Sequence, residues 1–106
     1  MLYCILANLQ METPAKRDTV DNDVKVRIGG KKVCGQTIIS KGQDGKGYPT
    51  SNIEIRFENR ADMEDLFAFI KDRMIRTPVL RGTVSKHDCP HDIGGTSCVI
   101  SEEYNK

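Results

Sequence analysis

Residues 86–98 read Lys86-His87-Asp88-Cys89-Pro90-His91-Asp92-Ile93-Gly94-Gly95-Thr96-Ser97-Cys98 and contain both histidines and two of the four cysteines of the chain. Imidazole nitrogen and thiolate sulfur are the donors that zinc takes four at a time in a tetrahedron. On an extended segment His87, Cys89 and His91 share a side, Pro90 can bend them together, and Gly94-Gly95 lets the chain reverse and return Cys98. The candidate metal ligands are therefore His87, Cys89, His91 and Cys98, with zinc as the cofactor and Cys34 as a substitute ligand. The His-x-Cys-x-His spacing differs from the Cys-x-x-Cys pairs of most structural zinc sites. The simpler reading, which we rank first, is the tip of a hairpin with no metal: solvated His-Asp turns and Cys98 as a small apolar side chain.

The same residues admit nucleophilic chemistry, with Cys89 as a thiolate favoured by His87 or His91. A working site also needs a base in reach, an orienting group and donors for an oxyanion. The sequence assigns none of these, so no catalytic residue is nominated and the expected function is not enzymatic. The His-Asp doublets do not make a metal phosphohydrolase site, which needs them on a helical scaffold with further ligands elsewhere. Gly42-Gln43-Asp44-Gly45-Lys46-Gly47 fails the phosphate-loop pattern Gly-x-x-x-x-Gly-Lys-[Ser/Thr], since Ser40 stands where the first glycine should and Gly47 where the Ser/Thr should.

Charge narrows the partners. Sixteen bases against fifteen acids leave the whole chain nearly neutral, so it is no general attractor of nucleic acid or anionic membranes. Locally, Lys25, Arg27, Lys31, Lys32, Lys41 and Lys46 face a single acid, Asp44, between residues 24 and 47. A basic hairpin there is the case for nucleic-acid binding. A solvated sheet face is the preferred reading, because no ladder of aromatics accompanies the bases. No apolar run approaches the ~20 residues of a membrane span. Met1–Gln10 lacks the pattern of a leader, so a cytoplasmic location and free or ligating thiols are expected. Were the chain exported, Cys89–Cys98 would be the easiest bridge.

These groups must be positioned by elements that the periodicity suggests. Leu2–Leu9 is apolar on both faces, like a central strand, and 10–23 is a long polar connection. Val24, Val26 and Ile28 alternate with Lys25 and Arg27, which predicts a second strand, and Gly29-Gly30 predicts a hairpin turn returning through 31–40. Lys41–Pro49 is a second hairpin loop, followed by a strand over 52–58 in which Ile53, Ile55 and Phe57 share a face. Asn59 caps a helix in which Met63, Leu66, Phe67, Ile70 and Met74 form one stripe, acids open it, bases close it and Pro78 stops it. Strands over 79–85 and 97–101 follow, and 102–106 is expected to fray.

The expected fold is one α+β domain over 1–106, a two-layer, mostly antiparallel sheet of β-β-β-β-α-β-β order with one helix on one face. The other face, carrying Lys25, Arg27 and Arg56, is open to a partner, and Phe69 and Ile75 lie off the helix's buried stripe. The expected function is a non-catalytic accessory or regulatory module that binds another protein or a second copy of itself through these residues. Zinc binding or Cys/His chemistry at 87–98, and nucleic-acid binding at 24–47, are the alternatives.

Overall fold

The computed structural model describes residues 2–12, 20–89 and 98–106. Five strands and two helices run in the order β1 (Leu2–Met11), α1 (Val20–Arg27), β2 (Ile38–Gln43), β3 (Pro49–Phe57), α2 (Arg60–Arg76), β4 (Leu80–Cys89) and β5 (Val99–Asn105). The sheet order is β2-β3-β1-β4-β5, and every neighbouring pair is antiparallel. This is the α+β architecture expected, with an antiparallel sheet covered by helices. The first four strands form two split βαβ units, the ferredoxin-like arrangement: β3 lies between β1 and β2, and β1 lies between β3 and β4.

That topology explains the main departure from the sequence reading. Residues 24–28 belong to helix α1 and not to a second strand, so the element order is β-α-β-β-α-β-β with two helices. Strands β1 and β2 run parallel with a third strand between them, and such a connection must cross over the sheet, which a helix does with its backbone bonds satisfied internally. Val20 and Val24, one turn apart, enter the core, while Val26 is left 79% exposed. Asp21 and Asp23 at the start and Lys25 and Arg27 at the end suit the helix dipole. Gly29-Gly30 accordingly ends a helix instead of turning a hairpin; Gly30 takes φ 83°, a left-handed conformation open to glycine. The expected return strand over 31–40 shrinks to one bridge, Val33 opposite Phe57, and the opening residues of β2.

The rest follows the predicted pattern more closely. Strands β2 and β3 form the second hairpin, closed where Asp44 Oδ1 accepts from the amides of Lys46 (2.8 Å) and Tyr48 (2.9 Å). In α2 the Asn59 side chain accepts from the Asp62 amide at 2.9 Å, and Met63, Leu66, Phe67, Ile70 and Met74 are all buried. They pack on Ile5, Ala7 and Leu9 of β1 and Ile53, Ile55 and Phe57 of β3, with Val20, Val24, Leu80 and Val84 completing one core. The tail does not fray. Residues 102–105 pair with 83–86 of β4, and Lys106 Nζ donates to the carbonyls of Met74 (2.5 Å) and Thr77 (2.6 Å), placing a cation on the C-terminus of α2.

Two ion-pair sets hold the helical layer. Arg27 of α1 makes a two-pronged contact with Asp65 of α2 (3.0 and 2.9 Å), Lys31 reaches the same carboxylate at 2.9 Å, and Arg73 pairs with Asp23. Lys86 of β4, only 8% exposed, reaches Glu64 at 2.5 Å and Glu102 at 3.6 Å across the Phe67 ring.

Candidate functional site

Both helices bury the face of the sheet that carries Ile5, Ile53, Ile55, Phe57 and Val84. Alternation along each strand sends the intervening side chains to the opposite face. In register these are Cys4, Leu6 and Asn8 of β1 beside Arg56, Glu54 and Asn52 of β3 on one side, and beside His87, Ser85 and Thr83 of β4 on the other. Ile38 and Ile100 extend the row at the two outer strands. A shift of register between Lys86 and His87 gives β5 one extra residue and leaves Ile100 opposite His87.

Strand β4 runs on to Cys89, so residues 86–89 of the His/Cys segment are strand and not loop. Its period of two puts His87 and Cys89 on the open face together. Cys98 lies just before β5, and the two antiparallel strands bring its Cα to 4.2 Å from that of Cys89, where the two form a disulfide. The expectation of free thiols at these two positions is therefore corrected. Cys4 and Cys34 are the free cysteines.

Cys4 joins this group from a distant part of the sequence. Its Sγ lies 3.6 Å from Cys89 Sγ, and the sulfurs of Cys4, Cys89 and Cys98 all lie within 4.8 Å of one another. Its Cα is opposite that of His87 in the β1–β4 ladder. Burial pushes the Cys4 thiol above its ordinary pKa; Arg56 opposes that shift and Glu54 adds to it. His87 is itself buried, and its Nε2 is 2.8 Å from Ser85 Oγ. Burial also moves the imidazole below its ordinary pKa, against the nearby Glu103, which favours the neutral ring at pH 7. Cys4, Leu6, Glu54, Arg56, His87, Cys98 and Ile100 line a cleft of about 290 Å³. A second shallow depression continues it across Leu6 and Glu54 toward Asn8, Ile38, Asn52, Thr83 and Ser85.

Of the four ligands nominated from the sequence, His87, Cys89 and Cys98 are at one end of the open face; His91 lies outside the described residues. The substitute ligand Cys34 is elsewhere, in the segment before β2, its amide donating to Arg56 O near the end of β3. Cys4 was missed. It sits inside an apolar strand with no histidine or cysteine near it in sequence, and only the β1–β4 register reveals it.

The nominated partner residues separate into two groups. Arg56 is on the open face. Lys25 and Arg27 are on α1 and not on the sheet, because their segment is helical. Phe69 is half-buried against the core with the Arg27 guanidinium 5.1 Å from its ring centre, so α1 covers the aromatic that the helical wheel leaves outside the stripe. Ile75, on the same helix, is 55% exposed. The basic stretch is spread over α1, the turn after it, β2 and the β2–β3 turn, and Asp65 engages Arg27 and Lys31. Tyr3 and Phe57, the aromatics of the two central strands, belong to the helix side. No helix among the described residues is long and apolar enough to cross a membrane. Compared with known protein families and with curated proteins, the chain matches none.

Proposed function

We propose that the protein is a non-catalytic interaction module that pairs with a second copy of itself through the open face of its sheet. One observation carries the reading: two helices cover one face, and the other presents Leu6 (38% exposed), Ile38 (39%) and Ile100 (53%) around its shallow clefts. Strands spaced about 4.8 Å apart and rising about 3.3 Å per residue give this face roughly 500 Å², so two copies would bury about 1,000 Å², near the lower limit for a specific interface. Charge favours self-pairing. Glu54 and Arg56 stand two residues apart on this face, and a two-fold axis through it sets Glu54 of each copy against Arg56 of the other. The compartment proposed with this reading is the cytoplasm, where a Cys89–Cys98 bridge would cycle between states instead of serving as a permanent staple.

Light scattering on size-fractionated protein tests the proposal. The wild-type chain is expected as a dimer at concentrations on the order of 100 µM. Leu6→Asp should give a folded monomer, since its side chain points away from the core. Glu54→Arg and Arg56→Glu should each weaken the dimer, and the double exchange should restore it. A monomeric wild type, or a double exchange no better than either single change, refutes the proposal.

A further inference from the structure

We propose that Cys4, Cys89, Cys98 and His87 form a zinc site when the Cys89–Cys98 bridge is reduced, so that disulfide and metal are alternative states of one centre. The proposal rests on the sulfur cluster and stands apart from the dimer reading. Zinc–sulfur bonds of about 2.3 Å in a tetrahedron place sulfurs about 3.8 Å apart. Cys4 Sγ already stands 3.6 Å from Cys89 Sγ, and no pair among the three sulfurs exceeds 4.8 Å. Only the disulfide-bonded Cys89–Cys98 pair must open to reach that spacing. A change of side-chain rotamer at Cys98, next to the first residue of β5, supplies that movement.

His87, the imidazole in the same cleft as Cys4 and Cys98, is the fourth ligand; its nitrogens stand outside the 4.8 Å group of the three sulfurs, so metal binding must draw the ring toward them. Ser85 Oγ engages its Nε2 at 2.8 Å, which leaves Nδ1 for the metal and provides the outer hydrogen bond that metal-bound histidines use to fix their ring. Three thiolates, a neutral imidazole and Zn²⁺ sum to one negative charge, and Arg56 lines the cleft to balance it. Glu54 also lines the cleft, but zinc in small structural sites takes sulfur and nitrogen in preference to oxygen. The ligands come from β1, from β4 and from the residue just before β5, so the metal would tie the middle strand and its neighbour to an edge strand.

The chemistry balances with reagents of ordinary classes. A dithiol reductant passes two electrons and two protons to the Cys89–Cys98 bond, which breaks to two thiols while the reductant closes its own disulfide. Zn²⁺ then displaces three thiol protons to solvent. In the reverse direction hydrogen peroxide takes two electrons from the Cys89 and Cys98 thiolates, their S–S bond forms, two protons are consumed, two waters leave and the zinc is released.

The test uses the full chain reduced by a phosphine without oxygen, then titrated with zinc alone against a chromophoric chelator and with cobalt(II) as a spectroscopic stand-in. We expect one equivalent bound, the strong visible absorption of tetrahedral thiolate-bound cobalt, and one equivalent of zinc ejected by peroxide as free thiols fall from four to two. Cys4→Ser, Cys89→Ser and Cys98→Ser should each weaken binding at least 100-fold and His87→Ala about 10- to 100-fold, with Cys34→Ser unchanged. Far-ultraviolet circular dichroism identifies any variant that has unfolded, and for such a variant the cobalt spectrum of the wild type decides. A reduced wild type that binds zinc no tighter than on the order of 10 µM, or Cys4→Ser binding as the wild type does, overturns the proposal.

Discussion

Gly82 offers the sharpest test of how the central strands of the sheet fit together. It sits in β4 opposite Leu9 of the central strand, with φ 129°, a conformation that side-chain-bearing residues rarely adopt. A Cβ added there would meet the Asn8 carbonyl oxygen at 1.9 Å, its carbon at 2.9 Å and the Leu9 Cα at 3.0 Å. All three obstacles are backbone of the strand on which the rest of the sheet is assembled, so no side chain can rotate to make room. In Gly82→Ala the dihedral strain costs about 1–3 kcal/mol. Moving β4 off β1 weakens at least one or two ladder hydrogen bonds at about 1 kcal/mol each. The Gly82–Lys106 backbone pair, at 3.1 and 2.9 Å, is disturbed as well. A total of about 3–5 kcal/mol is expected, a large share of the 5–15 kcal/mol of a typical domain. Urea unfolding followed by circular dichroism measures it, with Gly45→Ala as the control because nothing lies within 4 Å of its added Cβ. A Gly82→Ala chain within about 1 kcal/mol of wild type would refute the reasoning, since the strand contact would then have to be looser than the structure shows.

Three further outcomes are expected. The Arg27 and Lys31 contacts hold the Asp65 carboxyl down at about 2, against an ordinary value of 3.8, and the contribution of a depressed acid is present above the unfolded value and lost as pH falls through the folded one. Asp65→Asn should therefore destabilise the chain at pH 7 by roughly 0.5–1 kcal/mol, as suits a partly exposed pair, and the difference from wild type should vanish between about pH 4 and pH 2 in parallel denaturation series. Lys86 buries its stem as well as its charge, so Lys86→Met should cost about 1 kcal/mol and Lys86→Ala about 2–3 kcal/mol in the same assay; equal losses would show that packing plays no part. Closing the nine-residue separation between Cys89 and Cys98 should contribute about 2–3 kcal/mol, so Cys98→Ser should lower stability in oxidising buffer, and a reductant should remove the difference.

Legibility followed the range of the forces involved. Helix α2 was readable to the residue because cap, stripe and terminal charges are local and agree with one another. Strand β3 was readable because Ile53, Ile55 and Phe57 alternate cleanly and the core uses them so. Helix α1 was misread because Val24, Val26 and Ile28 satisfy a period of two, while the contacts that decide the matter, Arg27 with Asp65 and Arg73 with Asp23, join residues 38 and 50 apart. The tail was misread because its polar letters conceal a strand that pairs with β4 and a lysine that caps α2.

The opening motif divides in the same way. Donor-bearing side chains at 87, 89 and 98 were visible in the sequence, and the two-residue step from His87 to Cys89 fixed their common face once a strand ran through it. The sequence by itself thus determined the fold class, the core stripe of α2 and the concentration of ligand-type groups near residue 90, all of which follow from local periodicity and side-chain chemistry. Only the tertiary structure decided that Cys4, 85 residues from Cys89, completes the sulfur cluster, and that the open sheet face carries Leu6, Ile38 and Ile100 and not Lys25 and Arg27. Strand register and helix docking are set by burial summed over the whole chain, and no short segment carries that information.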